Sequence, residues 1–193
     1  MQKKEVEKFY PTSRTAWRKW LEKNHLSKQA VWLVFYKKGS EKKSITWSDA
    51  VDVALCFGWI DSKKVRIDDE SSHQYFSRRK ANSTWSKVNK EKVRILIEKG
   101  LMTESGYESI KTAKQNGSWI ILDDVEELLI PKDLEVEFKS NPNSKDYFLS
   151  LSKSARKAML QWLVLARRPE TRQKRIAEIV KLAARQQKPK YFR

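Results

Sequence analysis

Trp59, Asp61, Arg78 and Trp85 are the side chains whose types and order in the chain could build a ligand site. If the segment after Asp61 folds back over the helix before it, they enclose an aromatic-walled pocket with one carboxylate and one guanidinium, suited to a small anionic ligand. The plainer reading of the same residues is a structural Asp61–Arg78 pair flanked by two core tryptophans. No reaction can be read from either. Cys56 lies inside Ala54-Leu55-Cys56-Phe57, an apolar helical stretch that makes it a core thiol and not a nucleophile. His25 and His73 stand singly, without partners at metal-ligand spacing. Asp68-Asp69-Glu70 lacks the glycine pattern of a calcium loop and reads as a solvated turn. The expectation is therefore a binding protein with no catalytic residues, no metal and no cofactor.

A second surface supports an alternative, nucleic-acid binding. Arg78, Arg79, Lys80, Lys87 and Lys90 could hold phosphates while Tyr75, Phe76 and Trp85 stack on bases. The formal charge of +17 adds to this, but it is unevenly placed. From Ser150 to Arg193 there are 13 Lys and Arg against Glu170 and Glu178, whereas Asp123 to Glu137 holds seven carboxylates against Lys132. The acidic stretch can dock beside basic helices of the same chain, or those helices can meet an acidic protein partner or a nucleic acid.

With 193 residues, 39% hydrophobic and 34% charged, the chain can bury one sizeable core beneath a highly charged surface. Eight Trp, seven Phe and six Tyr oppose disorder. One cysteine excludes an intrachain disulfide. The basic start, Met1 to Lys8, is not followed by an apolar stretch, and nowhere do about 18 apolar residues run together. The expected location is the cytoplasm, without membrane insertion; the oligomeric state is left open.

The elements that must position these residues follow from periodicity. Trp17, Trp20 and Leu21 form the stripe of an amphipathic helix after Pro11-Thr12-Ser13. Val31 to Tyr36 is a buried strand closed by Lys37-Lys38-Gly39-Ser40. Thr46 and Asp49 have capping-box spacing and start an almost wholly apolar helix that Gly58 ends. Val65 and Ile67 alternate with charged residues, and Tyr75 and Phe76 suit a return strand, which makes an antiparallel hairpin. Helices follow over Val88 to Lys99 and from Thr103 to Asn116-Gly117, then short ones after Pro131 and Pro142. A core helix through Met159 to Leu165 and a last one carrying Ile176, Ile179, Val180 and Ala183 complete the chain, with a fraying tail from Gln186. The fold class is α+β: a small, mainly antiparallel sheet of about three strands packed with helices of the N-terminal half, then a helical C-terminal portion. Residues 1–100 form the α+β core with its hairpin; residues 101–193 form the helical portion with its basic C-terminal helix pair, packed with the core as one unit.

Several segments in this order resemble a known family. They are Phe9-Tyr10-Pro11, Trp17-Arg18-Lys19-Trp20-Leu21, Val31 to Lys38, Ala54 to Ser62, Phe76-Ser77-Arg78-Arg79, Trp85-Ser86-Lys87-Val88-Asn89 and Arg167 to Arg172. Together, from about Phe9 to about Ala183, they look like the YdeI or OmpD-associated (OmdA) family of bacterial bacteriocin-protection proteins. Arg79 departs from the proline expected in its stretch. The resemblance implies bacteriocin protection or stress tolerance and association with a porin, and it carries over no catalytic residue.

Overall fold

A computed structural model describes residues 5–189 and 192. The basic start Met1-Gln2-Lys3-Lys4 and, from the tail, Lys190, Tyr191 and Arg193 lie outside the described residues. The chain divides into two compact units, one running to Ser83 and including Val88–Trp119, the other comprising Thr84–Lys87 and the residues from Ile120.

In the first unit, β1 (Lys8–Phe9), α1 (Arg14–Asn24), β2 (Ala30–Tyr36), α2 (Trp47–Cys56), β3 (Trp59–Arg66) and β4 (Ser71–Arg78) precede α3 (Lys87–Glu98), which belongs to this unit from Val88 on, and α4 (Glu104–Gln115). The sheet is open and four-stranded in the order β1-β2-β4-β3. Its strands pair antiparallel except for the two-residue β1, which runs parallel to β2. The pattern alternates because β2 is covered on one face: Val31, Leu33 and Phe35 are buried, and Trp32, Val34 and Tyr36 between them are half-buried. The β3–β4 turn is held by Asp68, whose carboxylate accepts from the amides of Glu70 (2.8 Å) and Ser71 (2.6 Å) and from the Ser71 hydroxyl (2.8 Å).

Caps and burial explain the helices. Ser13 Oγ accepts from the Ala16 amide at 3.1 Å to start α1. Thr46 accepts from the Asp49 amide (3.1 Å) while its hydroxyl donates to the Asp49 carboxylate (2.8 Å), so Thr46 caps α2 and Asp49 holds the capping hydroxyl in place of the backbone N–H that a full capping box would bind. Trp17 is fully buried and donates its indole N–H to the Ala50 carbonyl at 3.0 Å, so the α1–α2 contact satisfies the polar atom it encloses. Phe9, Trp17, Trp20, Trp59 and Phe76 form a continuous ring cluster beneath the sheet. Each such side chain contributes on the order of 1.5–3 kcal/mol on burial. The exposed ion pairs around it are worth about 0–1 kcal/mol each, so the rings and not the charges hold this unit.

Helix α4 belongs to the first unit for a reason of backbone geometry. Gly58 takes a left-handed φ of 68°, which ends α2, and the Cys56 carbonyl is left to accept from both the amide (3.0 Å) and the hydroxyl (2.6 Å) of Thr103. Gly106 then lies so close to that carbonyl that an added Cβ would overlap it.

The second unit is helical: α5 (Asp123–Glu126), α6 (Lys132–Lys139), α7 (Ser144–Ser150), α8 (Lys153–Val164) and α9 (Pro169–Ala183). Leu134, Phe138, Phe148, Met159, Leu160, Leu163, Ile176 and Val180 build its core. The acidic stretch lies against cations of the same unit. Arg172 grips Asp133 with two bonds (2.5 and 2.8 Å), while Lys157 meets Glu126 (2.5 Å), Lys145 meets Glu135 (2.6 Å) and Lys87 meets Glu127 (3.0 Å). Part of the basic C-terminal charge is thus spent within the chain.

Two outcomes follow. Gly106→Ala gains up to about 1 kcal/mol of helix propensity, but the overlap falls on backbone that cannot rotate away. The expected net loss is about 1–3 kcal/mol, read as a lower urea midpoint. For Asp133, the hydrogen bonds from Arg172 hold the carboxyl below its ordinary value of 3.8. The folded state therefore binds the proton less readily than the unfolded chain, so the contribution is present above that value and fades as pH falls through the depressed one. The stability difference between the parent protein and Asp133→Asn should accordingly shrink in denaturant melts taken from neutral pH into acid.

Candidate functional site

The ten residues between β2 and α2 contain four lysines, and their backbone is pinned at several points. The Lys37 amide donates to the Glu70 carbonyl at the hairpin tip (2.9 Å), the Ser40 amide to the Lys37 carbonyl (3.0 Å) and the Ile45 amide to the Pro11 carbonyl (3.3 Å). Tyr10 donates its hydroxyl to the Lys43 carbonyl, and Ile45 is buried. So anchored, the loop leaves a groove of about 660 Å³ over the end of the sheet. Phe35, Ser72 and Gln74 form its floor, and Ile45, Thr46 and Trp47 one wall. Lys37, Lys38, Lys42, Lys43 and Lys64 also line it.

No carboxylate lines this groove, and among the described residues no ion pair involves any of the five lysines. Five lysines outnumber the carboxylates nearby, Asp61 behind Trp47 and Gln74 and Glu70 beside Ser40, and cations in excess over a low-dielectric wall focus a positive potential that favours a multiply charged anion. Trp47 supplies the apolar component: its ring is 53% exposed at the first turn of α2. Its indole N–H donates to Asp61 Oδ2 at 2.9 Å, and the same oxygen accepts from Gln74 Nε2 at 3.0 Å. The other Gln74 N–H is used by the Ser62 carbonyl at 3.0 Å. Asp61 thus orients one wall residue and one floor residue of the groove at once.

The residues expected to form a pocket are placed differently from one another. Asp61 and Arg78 share the helix-covered face, since Trp59 pairs with Arg78 and Asp61 with Phe76 in the β3–β4 register. Among the described residues no ion pair joins them; Arg78 Nε donates instead to the His25 carbonyl at 2.8 Å. Trp59 is 1% exposed and packs edge-on against Trp20. Trp85 is also 1% exposed and belongs to the second unit. Neither ring presents a face to solvent.

The residues of the strip proposed for phosphates differ in exposure and partners. Phe76 is buried, while Tyr75 lies on the opposite sheet face. Lys87 belongs to the second unit and is paired with Glu127, and Lys90 sits 5.4 Å over the Trp119 ring. Burial pushes the Arg79 guanidinium down to about 10, with the Asp61 charge opposing, so it stays protonated at neutral pH. Lys80 is exposed. Burial pushes the Cys56 thiol up, against the opposing pull of Arg18, and Sγ donates to the Asp52 carbonyl at 3.3 Å; this is an inert core thiol. His25 is a helix-end residue, its ring bonded to the Leu21 carbonyl (2.8 Å) and Ser105 Oγ (3.0 Å). No group of three or more His, Cys, Asp or Glu among the described residues could hold a metal ion.

Sequence reasoning missed Trp47, Gln74 and the lysine rim. The density of lysine over 37–43 was the available signal, but it reads equally well as the polar end of a strand. Replacing Asp61 tests the anchor. Asp61→Asn keeps an acceptor for the Gln74 N–H, whereas Asp61→Ala leaves that buried donor unmatched, at about 1–3 kcal/mol. Urea melts should therefore rank the parent protein, then Asp61→Asn, then Asp61→Ala.

Comparison with family models gives two matches along the chain. Residues 9–109 match a model described as Domain of unknown function (DUF8412), and residues 127–186 match one described as Bacteriocin-protection, YdeI or OmpD-Associated. Of the segments that carry the family resemblance, only Arg167 to Arg172 falls in the second match; the others fall in the first. No curated protein matches, and no solved structure matches. The first match spans more than half of the chain, so the protein belongs to that family of unknown function, and within its second unit it carries the YdeI or OmpD-associated domain.

Proposed function

We propose that this two-family protein acts by binding, and that its first unit takes up a multiply charged anionic small molecule in the lysine-lined groove. The observation that carries the reading is five lysines around about 660 Å³ of groove without a lining carboxylate. Trp47, held by Asp61, offers a ring to a planar apolar part of the ligand, and Ser72 offers a hydroxyl donor, while Gln74, whose two N–H groups are held by Asp61 and the Ser62 carbonyl, shapes the floor. Of the four residues expected to make a pocket, Asp61 enters this site as the group that positions Trp47 and Gln74. The biological role in this reading is bacteriocin protection, after the description of the second family, or the stress tolerance that the family resemblance implies. Porin association comes from that description alone. Among the described residues no helix is long and apolar enough to cross a membrane. We place the protein in the cytoplasm.

Thermal shift with pyrophosphate and with ATP as probes tests the reading. A ligand at about 100 times its Kd stabilises the folded state by about 2.7 kcal/mol. The shift should weaken as salt rises, because the lysine rim is screened. Lys42→Ala combined with Lys43→Ala should reduce it, and Trp47→Ala should reduce the ATP shift more than the pyrophosphate shift. The absence of any shift at low salt, or a shift indifferent to the lysine variants, would reject the groove as the site.

A further inference from the structure

The face of the sheet turned away from α1 and α2 has a composition of its own. In β2 and β4, the two central strands, Val31, Leu33, Phe35, Gln74 and Phe76 turn to the helix-packed side. Alternation therefore sends Trp32, Val34, Tyr36, His73 and Tyr75 to the other face. The register sets them opposite one another: Trp32 faces Tyr75, Val34 faces His73, and Lys8 of β1 flanks Trp32. Trp32 and Tyr75 meet edge to face with centroids 4.9 Å apart, His73 lies 6.4 Å from Trp32, and Tyr36 meets Tyr10 at 5.2 Å. All of these rings are at least partly exposed.

The cations are arranged around the rings. A bulge after Asp61 breaks the alternation of β3 and re-aims Lys63, whose ammonium stands 5.1 Å over the Trp32 ring and 5.5 Å over the Tyr75 ring. Lys42 stands 4.9 Å over Tyr36. Without the bulge, strict alternation would have turned Lys63 towards the helices. None of the residues that pairing and alternation place on this face is a carboxylate; the remainder are Ala30, Ile60, Val65, Ser71 and Ser77. Val65 is exposed at the edge strand. Burial and the Lys8 charge push His73 below its ordinary value, so at neutral pH its ring is uncharged and suited to stacking.

An acidic protein partner would satisfy the lysines but would make no particular use of rings collected on the central strands. A small anion would find no enclosure here. The combination of flat rings, ammonium groups poised over them and strands that place no carboxylate on this face, with Asp68 of the hairpin turn acting on His73 and Lys42 from the side, complements a flexible polyanion that carries planar groups. We infer that this sheet face is a platform for single-stranded nucleic acid, with bases stacking on Trp32 and Tyr75 and phosphates meeting Lys8, Lys63 and Lys42. On binding, Lys63 swings from the ring face to a phosphate, freeing the ring for a base. This platform differs from the residue 75–94 strip expected from the sequence, and Tyr75 is the one ring or cation common to both.

Fluorescence anisotropy with a labelled oligothymidylate and a labelled oligouridylate, measured on the full chain, tests the inference. Binding should be tightest at low salt and weaken steeply between about 50 and about 200 mM. Trp32→Ala and Tyr75→Ala should each weaken it by about tenfold or more, whereas Trp32→Phe and Tyr75→Phe, which keep a ring, should largely retain it. Lys63→Ala should lower the slope of log affinity against log salt by about 0.7, as expected for one phosphate contact on a single strand. Circular dichroism and thermal melts check that each variant folds, the phenylalanine pair serving where an alanine variant does not. Trp47→Ala should leave oligonucleotide binding unchanged, which separates this face from the groove. No binding at low salt, or binding indifferent to Trp32→Ala and Tyr75→Ala, overturns the inference. So does a face that ignores oligonucleotides but, through the same rings, binds vesicles of phosphatidylserine and phosphatidylcholine.

Discussion

The register of β2 against β4 is the constraint on which the first unit depends. It sets Val31 opposite Phe76 and Leu33 opposite Gln74, and with them the ring cluster of Trp17, Trp20 and Trp59 under the sheet. A slip of one residue would drive Trp32, Val34 and Tyr36 into the helices and expose Val31, Leu33 and Phe35. Because burial of those side chains outweighs any exposed ion pair, the register has one stable solution. Both candidate surfaces follow from it. Phe35 and Gln74 floor the lysine-lined groove on one face, and Trp32 and Tyr75 make the ring platform on the other.

The charge of the chain sorts by what surrounds it. In the second unit the acidic segment neutralises cations of its own helices, with Arg172 on Asp133 as the best-formed pair. In the first unit Arg14 bridges to Asp49 and Lys92 to Asp52, which ties α1 and α3 to α2. The lysines of the β2–α2 loop have no such partners among the described residues. Local charge balance therefore separates cations that serve the fold from cations available to a ligand, which the net charge of +17 cannot do.

Asp61 shows how one carboxylate changes meaning between sequence and structure. By spacing it looks like the partner of an arginine on the return strand. Arg78 is instead engaged by the His25 carbonyl, and Asp61 accepts from the Trp47 indole and the Gln74 amide. A half-buried carboxylate needs donors, and two neutral donors on adjacent elements supply them while the Arg79 guanidinium acts on the same charge. The functional weight passes to Trp47, an exposed ring whose setting depends on a residue behind it.

Much of the architecture was legible in the residues themselves. The capping pair Thr46 and Asp49, the helix stop at Gly58, the β3–β4 hairpin and the mainly antiparallel sheet followed by helices can all be read locally, because caps, turns and burial periodicity act over a few residues. The two-residue β1 was not legible, since so short a strand has no period, and neither was the grouping of α4 with the first unit, which rests on the approach of Gly106 to the Cys56 carbonyl. By itself the sequence determined a basic α+β chain and its likeness to the YdeI family. Only the tertiary structure decided which lysines surround a groove and which rings share a sheet face, because those groupings join residues such as Lys43 and Lys64, 21 positions apart, or Trp32 and Tyr75, 43 apart, whose proximity arises from strand pairing and not from local spacing.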